Sequence, residues 1–362
     1  MPTRATRVPC PYKPGDGLYG YRVLETHTSN FSHVLICLDP DGQRAVLKTP
    51  VDPRDYDVFR RDVRWWRSLC VDPEQARHLV RCVAHVRLEQ RPFAVLEYVN
   101  GPNLRTLLDR DPAHRLVLQQ AVSYGVQFCR GMVAAHARTV HGTRRAHGFA
   151  HRDICPENIM IDWQMRHGQG TNTLKISDFG LARRLLRGTQ EPRRRRGFTG
   201  RPNYAAPELF DGHHRGTVAS DLYSFGVTLW ELITGHVPFR MQPGESLDGF
   251  RRRILGHRLP VIEALPSTVP VELERVLGTC LEKLPVTRYA DFEAVLADLE
   301  PVAGALEATP GGNGGCQCCA ACGYLSEQPA PRDGCALCGT GGDPARLQAG
   351  GPDAGGDLSP GS

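Results

Sequence analysis

Four polar side chains stand in order along the chain where they could act on a phosphoryl group. Lys48 sits in "AVLK" on a predicted strand, Asp153 and Asn158 lie in "HRDICPEN" just before a short strand, and Asp178 opens "DFG" after the next strand. Transfer of a nucleotide's terminal phosphoryl group needs such a set. A cation neutralises phosphate oxygens, an acid and an amide hold Mg²⁺, and a second acid orients the attacking hydroxyl. Each residue alone is unremarkable, because acids cap turns and a strand lysine is usually a surface group. The ordered set is what points to chemistry.

The elements around these residues suggest how they could meet. From Tyr21 to about Val99 the pattern is of short β-branched strands ("YRVLET", "HVLICL", "RAVLKT", "LVRCVAHV", "FAVLEYV"), with Asp39–Gly42 as a hairpin turn. Tyr56–Leu69 breaks that pattern, since Val58, Phe59, Val63, Trp66 and Leu69 recur at helical spacing. Helical patterns dominate from Asn103 to Leu299, clearest over Leu116–Ala137 and Ala219–Thr234, with two short strand-like runs, "NIMI" and "LKIS", between them. A β-rich lobe and a helical lobe meeting at the connector Glu97–Gly101 make a cleft, where ligand sites commonly lie.

Composition sets limits. A chain of 362 residues is long for one domain, and 41% apolar content suits a core plus some solvated chain. The net charge of +5 is modest and does not argue for a nucleic-acid binder. The last 58 residues carry a net charge of −4 and 14 of the 38 glycines. That composition describes a linker, a small module and a solvated tail. No run of 18 uncharged apolar residues occurs, so no membrane-spanning helix is expected. The first residues lack the apolar stretch of a secretory leader. Seven of the thirteen cysteines are scattered and six fall within Cys316–Cys338. This distribution argues for a reducing, cytoplasmic setting and a metal site rather than a disulfide framework.

The motifs together resemble a eukaryotic-type protein kinase of the Ser/Thr branch, over roughly residues 18–302. The resemblance implies an α+β bilobal fold. Its N-lobe would span 18–98 and its C-lobe 99–302, after a flexible lead-in over 1–17. By resemblance, Lys48 contacts the α/β-phosphates of ATP, Asp153 takes or orients the substrate hydroxyl proton, and Asn158 and Asp178 ligate Mg²⁺. Val34, Ala45 and Met160 match positions that sandwich the adenine, Leu96 matches the gatekeeper, and Glu97–Val99 the backbone hinge contacts. "AAPE" closes the activation segment, where Glu208 would pair with Arg288, and Asp221 matches the acid bracing the catalytic loop. The arrangement requires the amine of Lys48 to lie close to the carboxylate of Asp178.

The chain departs from the family pattern in four places. The three glycine positions of the phosphate loop hold His27, Ser29 and Ser32, which is expected to weaken nucleotide affinity. Asp62 stands where a helical glutamate would pair with the strand lysine. The branch has a lysine two residues after the catalytic aspartate and a threonine seven before the Glu of APE; here Cys155 and Arg201 occupy those places. A relocated cation, Arg201 serving the γ-phosphate, is one reading, and a decayed site is the other. Finally, the stretch before Arg201 is basic, with Arg193–Arg196 at its centre and Thr189 and Thr199 as candidate phosphosites that Arg152 would receive. The function implied is phosphorylation of protein Ser/Thr hydroxyls; the alternative is a pseudokinase that senses nucleotide or acts as a scaffold.

After a linker over 303–315, Cys319/Cys322 and Cys335/Cys338 form two CxxCG elements in a module over 316–342, followed by a disordered tail over 343–362. Four thiolates in two close pairs suit tetrahedral Zn²⁺. The module resembles a zinc ribbon, which implies metal-dependent folding and a protein-contact role. Cys316 and Cys318 are surplus to the four ligands.

Overall fold

The computed structural model describes residues 8–29, 31–72, 74, 76–111, 114–140, 149–166, 169–179, 183–184, 200–211, 216–257, 269–308, 317–318 and 325–326. The first half of the kinase-like region is one antiparallel sheet with a single helix. Its strands are β1 (Gly17–Leu18), β2 (Tyr21–Thr28), β3 (Ser32–Leu38), β4 (Arg44–Pro50), β5 (Cys82–Leu88) and β6 (Arg91–Glu97), ordered β1-β2-β3-β4-β6-β5. The Asp39–Gly42 turn closes β3 onto β4, with the Asp39 side chain accepting from the amides of Asp41 and Gln43.

Side chains alternate across this sheet, so each strand serves two cores. Leu35, Cys37, Leu47, Phe93 and Val95 face one way and pack with Tyr12, Leu18 and Val23. Tyr12, in the stretch expected to be a flexible lead-in, is only 7% exposed, sets its ring 6.0 Å from that of Phe93 at a tilt of 58°, and donates to Glu89. The other face looks toward the helical lobe. Between β4 and β5 lies α1 (Tyr56–Leu69), whose buried Val63, Trp66 and Leu69 form the stripe the periodicity predicted. Burying each such side chain is worth about 1.5–3 kcal/mol, which makes this stripe the helix's main attachment.

The second half is helical: α2 (Leu104–Arg110), α3 (Leu118–Val140), α4 (Val218–Thr234), α5 (Leu247–Gly256), α6 (Val271–Cys280) and α7 (Phe292–Ala308). Every residue of α4 from Ser220 to Ile233 is buried, the polar Asp221 and Glu231 included, each of which accepts hydrogen bonds there. It opens on a capping box between Thr217 and Ser220 and stops at Gly235, whose φ of 82° is the left-handed conformation a helix C-cap uses.

Two strand pairs sit at the seam between the halves. β7 (Phe149–Ala150) pairs with β10 (Arg183–Arg184), and β8 (Ile159–Arg166) with β9 (Gln169–Ile176). The runs "NIMI" and "LKIS" seen in sequence are thus the inner ends of an eight-pair ribbon. The connector joins it: Ile161 N donates to Pro102 O and Trp163 N to Asn100 O, both at 2.9 Å. At Gly101 the approach is so close that a Cβ would fall 2.1 Å from Ile161 O. Near the C-terminus β11 (Gln317–Cys318) pairs antiparallel with β12 (Leu325–Ser326). No described helix is long and apolar enough to cross a membrane.

Candidate active site

Lys48 lies on β4 directly opposite Val34 on β3 and Ala94 on β6. Its amine reaches across the seam to Asp178 Oδ1 at 2.5 Å, with the lysine side chain 10% exposed. Asp178 follows β9 with φ at +60°, a left-handed kink that turns the chain out of the ribbon. Phe179 is 1% exposed, its ring 5.3 Å from that of Trp66, which ties the kink to α1. Asp62 sits half-buried on the same helix.

Asp153 and Asn158 are positioned from below by α4. Asp221, 1% exposed, accepts from the amides of His151 at 2.5 Å and Arg152 at 2.9 Å. Burial pushes the Asp221 carboxyl up to about 7, so these two donors are what favour its charged, accepting form. Arg152 takes φ +71° between them. Asn158 Nδ2 then donates to Asp153 O at 2.7 Å and to Asp153 Oδ2 at 2.8 Å. Ser177, one residue before Asp178, donates both its amide and its hydroxyl to Asn158 O at 2.8 Å. The amide and the DFG carboxylate are therefore adjacent at the ribbon's inner end. Both are hard oxygen donors of the kind Mg²⁺ takes, and with its amide nitrogen committed to Asp153, Asn158 has its amide oxygen for a cation.

The sheet corrects one residue of the adenine set. Strand alternation puts Val46 on the same face as Lys48, opposite Leu96, whereas Ala45 lies opposite Cys37 and Glu97 on the far face. Ala45 thus cannot share a wall with Val34, which stands directly across from Lys48. Val46, packed against the core cluster that holds Leu96 and Ala94, takes that place. Counting in twos back from Lys48 would have found it. Leu96 and Val99 are buried and Met160 partly so, Met160 bridging to Asn103.

Two buried ion networks escaped the sequence reading. The Glu97 side chain turns to the far face, accepting from Lys175 Nζ at 2.6 Å, Arg81 Nε at 2.8 Å and Arg81 N at 3.0 Å. Although burial opposes it, the Lys175 charge prevails and holds the Glu97 carboxyl below its usual value. Lower down, Arg105 donates to Tyr204 Oη and Glu231 at 2.7 Å each, and Tyr204 donates to Glu231 at 2.6 Å. Spacing carries no signal for either, because the partners are between 16 and 126 residues apart. The expected Glu208–Arg288 pair is bidentate, at 2.8 and 2.9 Å, with Arg288 fully buried.

The departures from the motif also have positions. Ser29 N donates to Ser32 O at 2.9 Å, and Ser29 Oγ accepts from the amides of Phe31 and Ser32. The turn between β2 and β3 thus engages its own backbone donors. His27 is exposed and lies beside Glu25. Arg201 donates to Cys155 Sγ and stands 3.9 Å from Asp153 Oδ2 and 3.7 Å from Glu157 Oε2. Thr189, Thr199, Arg193–Arg196 and the cysteines Cys319, Cys322, Cys335 and Cys338 lie outside the described residues. Among the described residues no group of three or more His, Cys, Asp or Glu side chains gathers as a metal cage.

Compared with known families, residues 30–298 match the model of the protein kinase domain. The chain belongs to the protein kinase family. Among characterised kinases it is 35% identical to serine/threonine-protein kinase PkaB of Streptomyces coelicolor over 214 residues, which is 58% of this chain and 46% of that one. It is 28% identical over 262 residues to serine/threonine-protein kinase A of Synechocystis, covering 72% of this chain and 47% of the relative. It is 30% identical over 285 residues to serine/threonine-protein kinase PknK of Mycobacterium bovis, covering 77% and 23%. The kinase chain therefore spans about half or less of the length of these relatives.

Proposed function

We propose that this chain is a protein serine/threonine kinase that transfers the γ-phosphoryl group of Mg-ATP to protein hydroxyls. The observation that carries the reading is the convergence at the seam: Lys48 on Asp178 at 2.5 Å, with Asn158 joined both to Asp153 and to the residue before Asp178. The relatives' shared description as serine/threonine-protein kinases supports it.

In this reading Lys48 draws the α/β-phosphates into line. Val34, Val46, Leu96 and Met160 surround the adenine, and the backbone of Glu97–Val99 meets its edge. Asp153 orients the substrate hydroxyl and accepts its proton as the oxygen attacks. Asn158 and Asp178 would hold Mg²⁺, which supplies charge neutralisation at the phosphates when bound. Positioning and electrostatics provide most of the acceleration. With labelled ATP and a generic basic protein, wild type should incorporate phosphate and Asp153→Asn should fall by about 10³-fold, as general-base losses do. Equal background in both would sink the reading.

One feature favours the scaffold alternative. The Ser29 hydroxyl already satisfies two amides that a phosphate would otherwise meet. The retained set at the seam outweighs it, because a turn can open while a missing acid cannot be replaced.

We further propose that residues 316–342 form a zinc ribbon. The β11–β12 hairpin supports this: its strands flank the six residues that carry Cys319 and Cys322, as a two-ligand turn requires. Cys335 and Cys338 would complete a tetrahedral thiolate set. Zinc measured on wild type should be stoichiometric and should vanish in Cys319→Ser/Cys335→Ser. A protein partner is the expected user of the ribbon. The seven free thiols between Cys10 and Cys280 suit a cytoplasmic setting.

A further inference from the structure

Cys155 and Arg201 are two separate departures from the Ser/Thr pattern, 46 residues apart in sequence, and the fold brings them into contact: an Arg201 Nη1–H meets Cys155 Sγ. Cys155 is fully buried, and burial pushes its thiol well above the ordinary range, so it brings no charge to the contact. What it brings is space. A lysine chain at this position would carry an ammonium into the volume the guanidinium uses.

The charges around the pair fit one cation there. Arg201 Nη1 lies 3.9 Å from Asp153 Oδ2 and 3.7 Å from Glu157 Oε2. Glu157 is shared with Arg105, whose Nε is 3.7 Å from its other oxygen. Arg201 and Asp153 line one pocket, together with Gly200, Tyr204, Ala205 and Leu209. The Arg201 side chain remains 40% exposed, so it is not sealed into the core. It enters from the segment that leads into the Pro202–Tyr204 turn, held by the Arg105–Tyr204–Glu231 bonds.

We propose that Arg201 is a catalytic residue, and that it and Cys155 are an exchanged pair: the cation the family carries two residues after its catalytic aspartate is supplied here by Arg201, which packs against that position. The proposal rests on the kinase reading above. In the step it serves, the substrate hydroxyl oxygen bonds to the γ-phosphorus and the bond from that phosphorus to the β–γ bridging oxygen breaks. The hydroxyl proton passes to Asp153, and ADP leaves with the bond's electron pair. Arg201 meets the γ-phosphoryl oxygens through this transfer and steadies Asp153 from its Oδ2 side. A cation from either position can do this, whereas cations at both compete for the same two carboxylates.

The test is an exchange cycle of Arg201→Thr, Cys155→Lys and the double variant, with kcat, KM and nucleotide binding measured on the full chain. Arg201→Thr should lose about 10²-fold in kcat, with a much smaller change in KM for the protein substrate, as removal of one transition-state contact does. Cys155→Lys alone should also lose activity. The double variant should recover to within about fivefold of wild type, a sign reversal that independent structural damage does not produce. By calorimetry, Arg201→Thr should also lower the preference for a non-hydrolysable ATP analogue over ADP by about tenfold, because only the former carries the γ-phosphate. ADP affinity near wild type certifies the fold, and Arg201→Gln replaces Arg201→Thr if that variant does not fold. A kcat within twofold of wild type in Arg201→Thr, or a double variant no better than the product of the singles, would overturn the proposal. If wild type itself incorporates no more phosphate than Asp153→Asn, the kinase reading fails. The catalytic role of Arg201 then falls with it, whereas in an active wild type an analogue-to-ADP ratio unchanged by Arg201→Thr overturns the proposal and leaves the kinase reading standing.

Discussion

The turn between β2 and β3 and the loop His151–Asn158 are held in different ways. The loop is anchored to a fully buried helix through Asp221, and to the DFG strand through Ser177, so its two ends are fixed by groups outside it. The turn is fixed chiefly by itself, through a single hydroxyl on two of its own amides. Asp153 and Asn158 are retained in the braced loop, where Cys155 is the departure, whereas all three glycine positions in and beside the turn, His27, Ser29 and Ser32, are replaced. A loop braced by the core tolerates few replacements, because each one leaves a buried donor or acceptor without its partner.

The comparison breaks first at Asp221. In Asp221→Ala the amides of His151 and Arg152 lose their acceptor inside the protein, which should cost about 3 kcal/mol of stability and drop activity more than 100-fold. Urea unfolding beside a turnover assay reads both, and a variant with full activity would mean that the loop is not set from below. Next is the sheet face. Enlarging Val46 to Phe should raise KM for ATP about tenfold, while Ala45→Ser on the opposite face should stay within twofold. Comparable effects at the two positions would overturn the strand parity.

The turn should respond in the other direction. Ser29→Gly frees the Phe31 and Ser32 amides for phosphate oxygens and should lower KM for ATP by about threefold, in keeping with neutral hydrogen bonds of about 1 kcal/mol. No change would mean that the nucleotide already displaces the hydroxyl. The smallest effect lies behind the connector. Glu97 has a folded-state pKa below its unfolded value of 4.5. Its contribution is therefore present above about pH 4.5 and is lost as the pH falls through the lowered folded value. Wild type should lose urea stability across that acid window more steeply than Glu97→Gln, by about 1 kcal/mol, and parallel curves would remove the ion pair from the account.

Much of this was legible in the sequence, for identifiable reasons. Helix α1 showed itself because Val63, Trp66 and Leu69 fall on one stripe, and the β3–β4 turn because Asp39 and Gly42 carry its geometry in their residue types. The four chemical residues were legible as a spaced motif. The outer half of the β8–β9 ribbon was not: "DWQMRHGQGTN" is polar and reads as a loop, since its strands are marked by backbone pairing, Asp162 with Thr173 through Arg166 with Gln169, and not by an apolar alternation. Ala45 was mistaken for Val46 because both are small and apolar, and only the pleat distinguishes the faces. The Glu97 and Arg105 networks join residues whose partners no local pattern marks.

The crowding at Gly101 has a mechanical consequence. Residues 100–102 are laced to β8 and behave as a part of the lower lobe, and no side chain at 101 could be admitted without displacing the strand that starts one residue after Asn158. On the other side, Glu97 is clamped by Arg81 and Lys175. Between these anchors lie only Tyr98 and Val99, so a swing of the sheet against the ribbon would bend the chain at two consecutive residues and load the Glu97–Lys175 bond, directly beside the edge where the adenine would rest.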